Sequence, residues 1–251
     1  SVLNACSDSC SLDYGRLVHN LIIDYNIAYD TFIHCCLIDM YAKCCMLEDA
    51  FIVFNGLPVP DAASWGALIA GCVEYSYNSL AFKLFLKMQE WNLMPEKPTL
   101  MCLLHACSST KAMRQARLIH TFIILNQLDT DVVIGNSLIN MYCKCESLED
   151  AKRVFQRIDK PHVGAWNALI SGCAELSFPE EALQIFKEMK CKNLDLGKVT
   201  FLSVLKASSA LAAVDQGHEV HELIKRNGLE TDLFVASNLV DMHAKCGNLE
   251  E

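Results

Sequence analysis

Between Thr31 and Phe54 the apolar residues recur at spacings of three and four. Ile33, Leu37, Ile38, Met40 and Tyr41 form one stripe, and Leu47, Ala50, Val53 and Phe54 form a second. Such periodicity predicts two short amphipathic helices, each burying one face. The segment between them is Lys43-Cys44-Cys45-Met46, with counterparts Lys144-Cys145-Glu146-Ser147 and Lys245-Cys246-Gly247-Asn248 further along. Gly, Ser and Asn there suit a tight turn and the cap of the following helix. The acidic pairs Glu48-Asp49 and Glu149-Asp150 then fall in the first turn of the second helix, complementing the positive end of its dipole. Pro58, Pro95 and Pro161 stand just after predicted second helices, where a chain that has stopped being helical tolerates them.

The pattern is copied. TFIHCCLIDMYAKCCMLEDAFIVF, Thr31 to Phe54, returns 101 residues later as VVIGNSLINMYCKCESLEDAKRVF and begins once more at Leu233 as LFVASNLVDMHAKCGNLEE. A second kind of unit opens at Ala62 (AASWGALIAG) and Val163 (VGAWNALISG), and a third at Lys97 (KPTLMCLLHAC) and Lys198 (KVTFLSVLKAS). The units are thus 31–61, 62–96, 97–131, 132–162, 163–197 and 198–232, with partial ones at 1–30 and 233–251. Repeats of this length are single supersecondary elements that cannot bury their apolar face alone, so they stack. The expected fold is all-α, an α-solenoid of stacked antiparallel helix pairs, in a chain that opens and closes inside a unit.

Composition adds limits. With 52% apolar and 20% charged residues the chain reads as well buried and not disordered. No apolar run reaches the roughly 18 residues that cross a bilayer, so no membrane is expected. Fourteen cysteines invite a metal or disulfide reading. Yet Cys44, Cys145 and Cys246 share one repeat position, as do Cys6 and Cys107, and Cys72 and Cys173, and none forms paired CxxC or CxxC…HxxxH spacing. They read as small apolar residues on helix faces, with no metal or cofactor. His19, His120 and His221 recur at one position, each after Val or Ile, which favours a packing role over acid-base chemistry. No phosphate loop, nucleophile elbow or deaminase HxE with PCxxC is present, so these residues are not expected to form an enzyme. Ala50 with Phe54, Ala81 with Phe85, Ala151 with Phe155 and Ala182 with Phe186 repeat a small residue four before an aromatic. These phenylalanines, with Trp65 and Trp166, complete the core stripe, a base-stacking platform being the alternative.

The three kinds of unit in fixed order resemble the plant pentatricopeptide repeat family, in the subclass alternating P, L and S repeats. NSLINMYCKCESLEDAKRVF is similar to its S repeats, SWGALIAG and AWNALISG to its P repeats, and LLHAC, VLKAS and ARLIH to its L repeats. The resemblance covers essentially the whole chain. It implies a right-handed superhelix that binds single-stranded organellar RNA at about one base per unit. It also implies an organellar RNA-processing factor of mitochondrion or chloroplast, most specifically one recognising sites for C-to-U editing. RNA-editing or processing proteins would be further partners, and DNA would not be one. Some members carry a C-terminal deaminase-like domain, whose motifs are not among these residues.

By that resemblance the base-reading residues are the fifth and the last of each unit. They fall on Cys35 and Asp61, Gly66 and Glu96, Met101 and Asp131, Asn136 and His162, Asn167 and Gly197, and Leu202 and Asp232, with Ser237 and Asp30 in the partial units. Asn136 and Asn167 keep the short polar chemistry that hydrogen-bonds a splayed base. Cys35, Gly66, Met101 and Leu202 depart from it, so no target sequence follows. The second residue would pack on the base: Phe32, Val133, Val199 and Phe234 offer surface, while Ala63, Pro98 and Gly164 offer less. Ordinary first-helix packing is the competing reading for these. Lys43, Lys144 and Lys245 either meet phosphates or complement a helix end, and Glu74 and Glu175 occupy the matching place in P units. The net charge of −9 opposes strong non-specific RNA affinity. A protein-interaction scaffold on the same solenoid is the alternative function.

Overall fold

The computed structural model describes residues 2–25 and 30–246, and all its regular elements there are helices. The helices are α1 (Val2–Asp8), α2 (Leu12–Asp24), α3 (Thr31–Lys43), α4 (Leu47–Asn55), α5 (Ala62–Glu74), α6 (Asn78–Glu90), α7 (Lys97–Thr110) and α8 (Met113–Leu125). They continue as α9 (Val132–Lys144), α10 (Leu148–Arg157), α11 (Val163–Glu175), α12 (Pro179–Cys191), α13 (Lys198–Leu211), α14 (Val214–Arg226) and α15 (Leu233–Cys246). The turn expected at Gly247 and Asn248 lies outside the described residues.

The chain divides into two compact bodies, 1–119 and 120–251. In the first, α1, α3, α5 and α7 pack one on the next, and each of α2, α4 and α6 lies against its own first helix and the following one. The second body repeats the scheme, with α9, α11, α13 and α15 as one layer and α10, α12 and α14 as the other. Each body is therefore a two-layer helical solenoid, as the 3.6-residue stripes require. Leu37, Ile38 and Met40 of α3, like Leu138, Ile139 and Met141 of α9, have no exposed surface.

Close helix approach has identifiable causes. A methyl built on Gly71 would stand 2.4 Å from the Cβ of Ala42, and one on Gly172 would stand 2.2 Å from Sγ of Cys143, so α5 and α11 come nearer to their neighbours than a side chain permits. Ala50, Ala81, Ala151 and Ala182 are wholly buried on the second helices. Phe54 meets Trp65 edge to face with centroids 4.8 Å apart, and Phe155 meets Trp166 likewise at 4.8 Å. Trp65 and Trp166 are buried, which settles them as core and removes them as a stacking platform. The left-handed residue of the turns inside the pairs is Cys10, Cys45, Ser76, Lys111, Glu146, Ser177 or Ala212, each with φ between +48° and +64°, so the expected serine fills some of these described turns and glycine none. The cysteines at 44 and 145 cap α3 and α9 at their C-terminal ends, so they close turns and do not lie on a packed face.

Candidate nucleic-acid interface

Within each body the residues singled out from sequence fall at the N-terminal ends of the first helices. A helix begins with amide groups that have no partner inside it, and a preceding Asp supplies one. Asp61 accepts from the Ser64 amide at 2.9 Å and from the Ser64 hydroxyl at 2.7 Å. Asp131 accepts from the amides of Val133 and Ile134 at 2.9 and 3.0 Å, and Asp232 from those of Phe234 and Val235 at 3.0 and 3.2 Å. Asp30 does the same for Ile33 at 2.8 Å, and His162 accepts from Gly164 at 3.4 Å. Glu96 and Gly197 precede α7 and α13 without a side-chain cap. The last residue of most units thus has a structural task, legible in the Asp-before-helix signal.

Three fifth residues, Gly66, Asn136 and Asn167, face the start of the next first helix. In the second body Oδ1 of Asn167 accepts from the Thr200 hydroxyl at 2.7 Å, while the Asn136 amide lies where a side chain on Gly164 would collide at 2.7 Å. Oδ1 of Asn136 is buried with no hydrogen-bond partner. In the first body Gly66 leaves room for Thr99, whose Oγ1 would sit 2.5 Å from an added methyl. Ser64, Thr99 and Thr200, all third residues of units, are all buried. They were visible as SWG, KPT and KVT but carried no role in the sequence reading. Cys35, Met101 and Leu202 are half-buried, and Ser237 is exposed.

Beside these residues stands a set of exposed apolar side chains. Phe32 is 64% exposed, Val133 46%, Val199 57% and Phe234 64%, all at the second place of a first helix. Lys198 lies 4.6 Å from the centroid of the Phe234 ring and 2.6 Å from Oδ2 of Asp232. That lysine and the cap bonds hold the Asp232 carboxyl below the usual carboxylate range. Ala63 and Gly164 are half-buried and Pro98 is exposed.

Electrostatically the first-helix face is mixed. Burial, with the charges of Asp61 and other acids, pushes the Cys35 thiol up to about 11, so it stays protonated. Around it a hollow of about 270 Å³ is lined by Asn4, Asp8, Asp39, Lys43 and Ala67. Lys43 pairs with Asp39 at 3.0 Å, Lys144 with Glu175 at 2.7 Å and Lys245 with Asp241 at 2.8 Å. Nδ1 of His19 is 2.8 Å from the Tyr41 hydroxyl and that of His120 is 2.8 Å from the Tyr142 hydroxyl, whereas Nδ1 of His221 is 3.1 Å from Nε2 of His243. These histidines join a second helix to the following first helix. Among the described residues no group of three or more His, Cys, Asp or Glu is arranged to hold a metal ion.

Comparison with known proteins places this geometry. A family described as PPR repeat matches residues 32–58, 63–93 and 136–160, and one described as PPR repeat family matches 161–209. Pentatricopeptide repeat-containing protein At4g18520, chloroplastic, of Arabidopsis thaliana is 35% identical over 251 residues, which is 100% of this chain and 41% of the relative. Pentatricopeptide repeat-containing protein At1g06140, mitochondrial, of the same plant is 31% identical over 249 residues, 99% of this chain and 45% of the relative. The chain thus spans less than half the length of these relatives. Among solved structures, the pentatricopeptide repeat protein PPR10 in complex with an 18-nt psaJ RNA element superposes with a TM-score of 0.77 at 18% identity, over 94% of this chain and 35% of that one. At that identity the likeness shows the fold.

Proposed function

Because this chain belongs to the pentatricopeptide repeat family, we propose that it binds single-stranded RNA along the N-terminal ends of its first helices and selects sequence there. The observation that carries this reading is the recurrence of exposed Phe32, Val133, Val199 and Phe234 at one register, each three residues before a fifth-position side chain. Water-exposed apolar side chains are unfavourable unless something covers them, and the face of an unstacked base does so. Fifth and last residues in pairs, from Cys35 and Asp61 to Leu202 and Asp232, then meet successive base edges, with Ser237 continuing the line. The relatives named chloroplastic and mitochondrial support action on organellar transcripts, with recognition of C-to-U editing sites as the specific task. Processing or editing proteins would act on the RNA so positioned.

The test is fluorescence anisotropy on an RNA of about six to eight nucleotides obtained by selection, the length that one base per unit implies. Asn136→Ala with Asn167→Ala is expected to weaken binding to the selected RNA by at least about tenfold, two lost base contacts of about 1 kcal/mol each, with less effect on a scrambled one. Equal loss on both RNAs would exclude direct readout. A protein occupying the same face is the second reading, favoured by Asp8, Asp39, Asp61 and Glu96 around Cys35. Partner capture insensitive to nuclease would select it.

A further inference from the structure

The chain carries its own control for what a solvent-facing second helix looks like, since each position recurs 101 residues later. In the second body α10 and α12 expose no large apolar residue, while α14 exposes Val214 alone. In the first body the outward positions are apolar: Ile52, Leu86 and Leu118 are 69%, 51% and 60% exposed. Their counterparts are Arg153, Lys187 and Glu219. The gap between α12 and α14 is bridged by an ion pair of Lys190 with Glu219. The matching gap between α6 and α8 is instead an open groove of about 330 Å³ walled by Phe82, Leu86 and Leu118, with Lys83 and Gln115 at its edge.

Charge changes along with hydrophobicity. Lys83 lines the groove, Lys87 stands one helical turn after it in α6, and Arg114 stands one turn before Leu118 in α8; all three are exposed and form no ion pair among the described residues. One copy later the same places hold Gln184, Glu188 and Asp215. Basic side chains beside an apolar trough attract an acidic segment locally, whereas two copies pressed groove to groove would set these same cations against one another. The groove lies on the second-helix layer, away from the first-helix ends proposed for RNA.

We infer that the groove between α6 and α8 docks an amphipathic helix of a partner protein, its Leu or Phe anchors seated between Leu86 and Leu118 and its flanking Asp or Glu residues against Lys83, Lys87 and Arg114. The helix-in-groove mode suits a trough walled by two helices, and anchors spaced three and four apart match the wall residues Phe82 and Leu86 on one side and Gln115 and Leu118 on the other.

The probe is a labelled synthetic peptide of about four helical turns, with leucines along one face and glutamates beside them. It is titrated by anisotropy into the whole chain and into two variants, Leu86→Lys with Leu118→Glu, and Lys83→Gln with Lys87→Glu. All four replacements are the residues the chain itself carries one copy later, so both variants are expected to fold, and far-UV circular dichroism melts check this. Saturable binding that weakens at least about tenfold in each variant and with added salt, while RNA affinity stays within about twofold, is the expected result. Equal peptide binding by all three proteins, or none by the unmodified one, overturns the assignment. So does a dimer in sedimentation that Leu86→Lys with Leu118→Glu converts to monomer, which would give the groove to a second copy. Loss of RNA binding in that variant would give it to nucleic acid and equally overturn it.

Discussion

The Asp61 carboxylate holds both the amide and the hydroxyl of Ser64, a residue with no exposed surface. Removing it leaves the first amides of α5 without a partner at a helix start that neighbours pack against. Asp61→Ala is therefore expected to cost about 1 to 2 kcal/mol, while Asp61→Asn keeps most of the cap; denaturant unfolding measures both. The same dual demand bears on Asp131, Asp232 and His162. Under the proposed RNA reading, a last residue could be changed to alter base contact only within the set of side chains that still cap. Gly197 stands in open space and escapes this restriction, so substitution at Gly197 is the freest way to add a side chain to the line.

At the scale of helices, spacing is set by what is missing. Alanine at Gly71 or Gly172 raises helix propensity by about 1 kcal/mol, but the new methyl meets Ala42 or Cys143 at 2.4 and 2.2 Å. Overpacking of that kind costs about 1 to 3 kcal/mol. Net destabilisation is expected for both Gly71→Ala and Gly172→Ala, read from shifts in the urea midpoint. The links made by His19 and His120 join second helices to first helices and respond to pH. Burial, aided by the charge of Arg157, lowers the His120 pKa from its ordinary 6.5. Below that pH the unfolded chain takes up a proton that the folded chain resists, so stability is full above about pH 6.5 and falls as the solution becomes more acidic. His19 adds to the same trend, its pKa lowered chiefly by burial. Thermal melts between about pH 5.5 and 7.5 are expected to flatten in His120→Gln; an unchanged slope would assign the dependence to other groups.

Across the whole molecule, charge decides how RNA binding behaves. Lys43, Lys144 and Lys245 are each committed to an acid, so few cations remain to displace counterions from phosphates. Lys144→Ala is expected to change RNA affinity by less than about twofold and the slope of log affinity against log salt by less than about 0.7, the value for one phosphate contact on a single strand. A larger change would mean that Lys144 leaves Glu175 to meet the backbone. On the proposed reading, binding would then depend on base contact more than on attraction to the strand, as expected for a chain of net charge −9.

Apolar spacing alone was enough to reach the helical solenoid: Ile38, Ile139 and their equivalents must be hidden, and stacking is the one way short helices hide them. The core role of Trp65 and Trp166 was also legible, because they continue those stripes. Side-chain partners were not. That Asp61 and Asp131 cap helices, that Asn167 is held by Thr200, and that Lys144 is neutralised by Glu175 depend on residues 31 to 33 positions apart being brought together, or on where a helix starts to within one residue. Repetition gave the period of the chain but could not say which of two recurring polar residues would meet. Hydrogen bonds and ion pairs act over about 3 Å, a distance that only the packed helices fix. The groove beside Leu86 and Leu118 belongs to the same class: its residues stood in the sequence as ordinary members of amphipathic helices, and only packing left them uncovered.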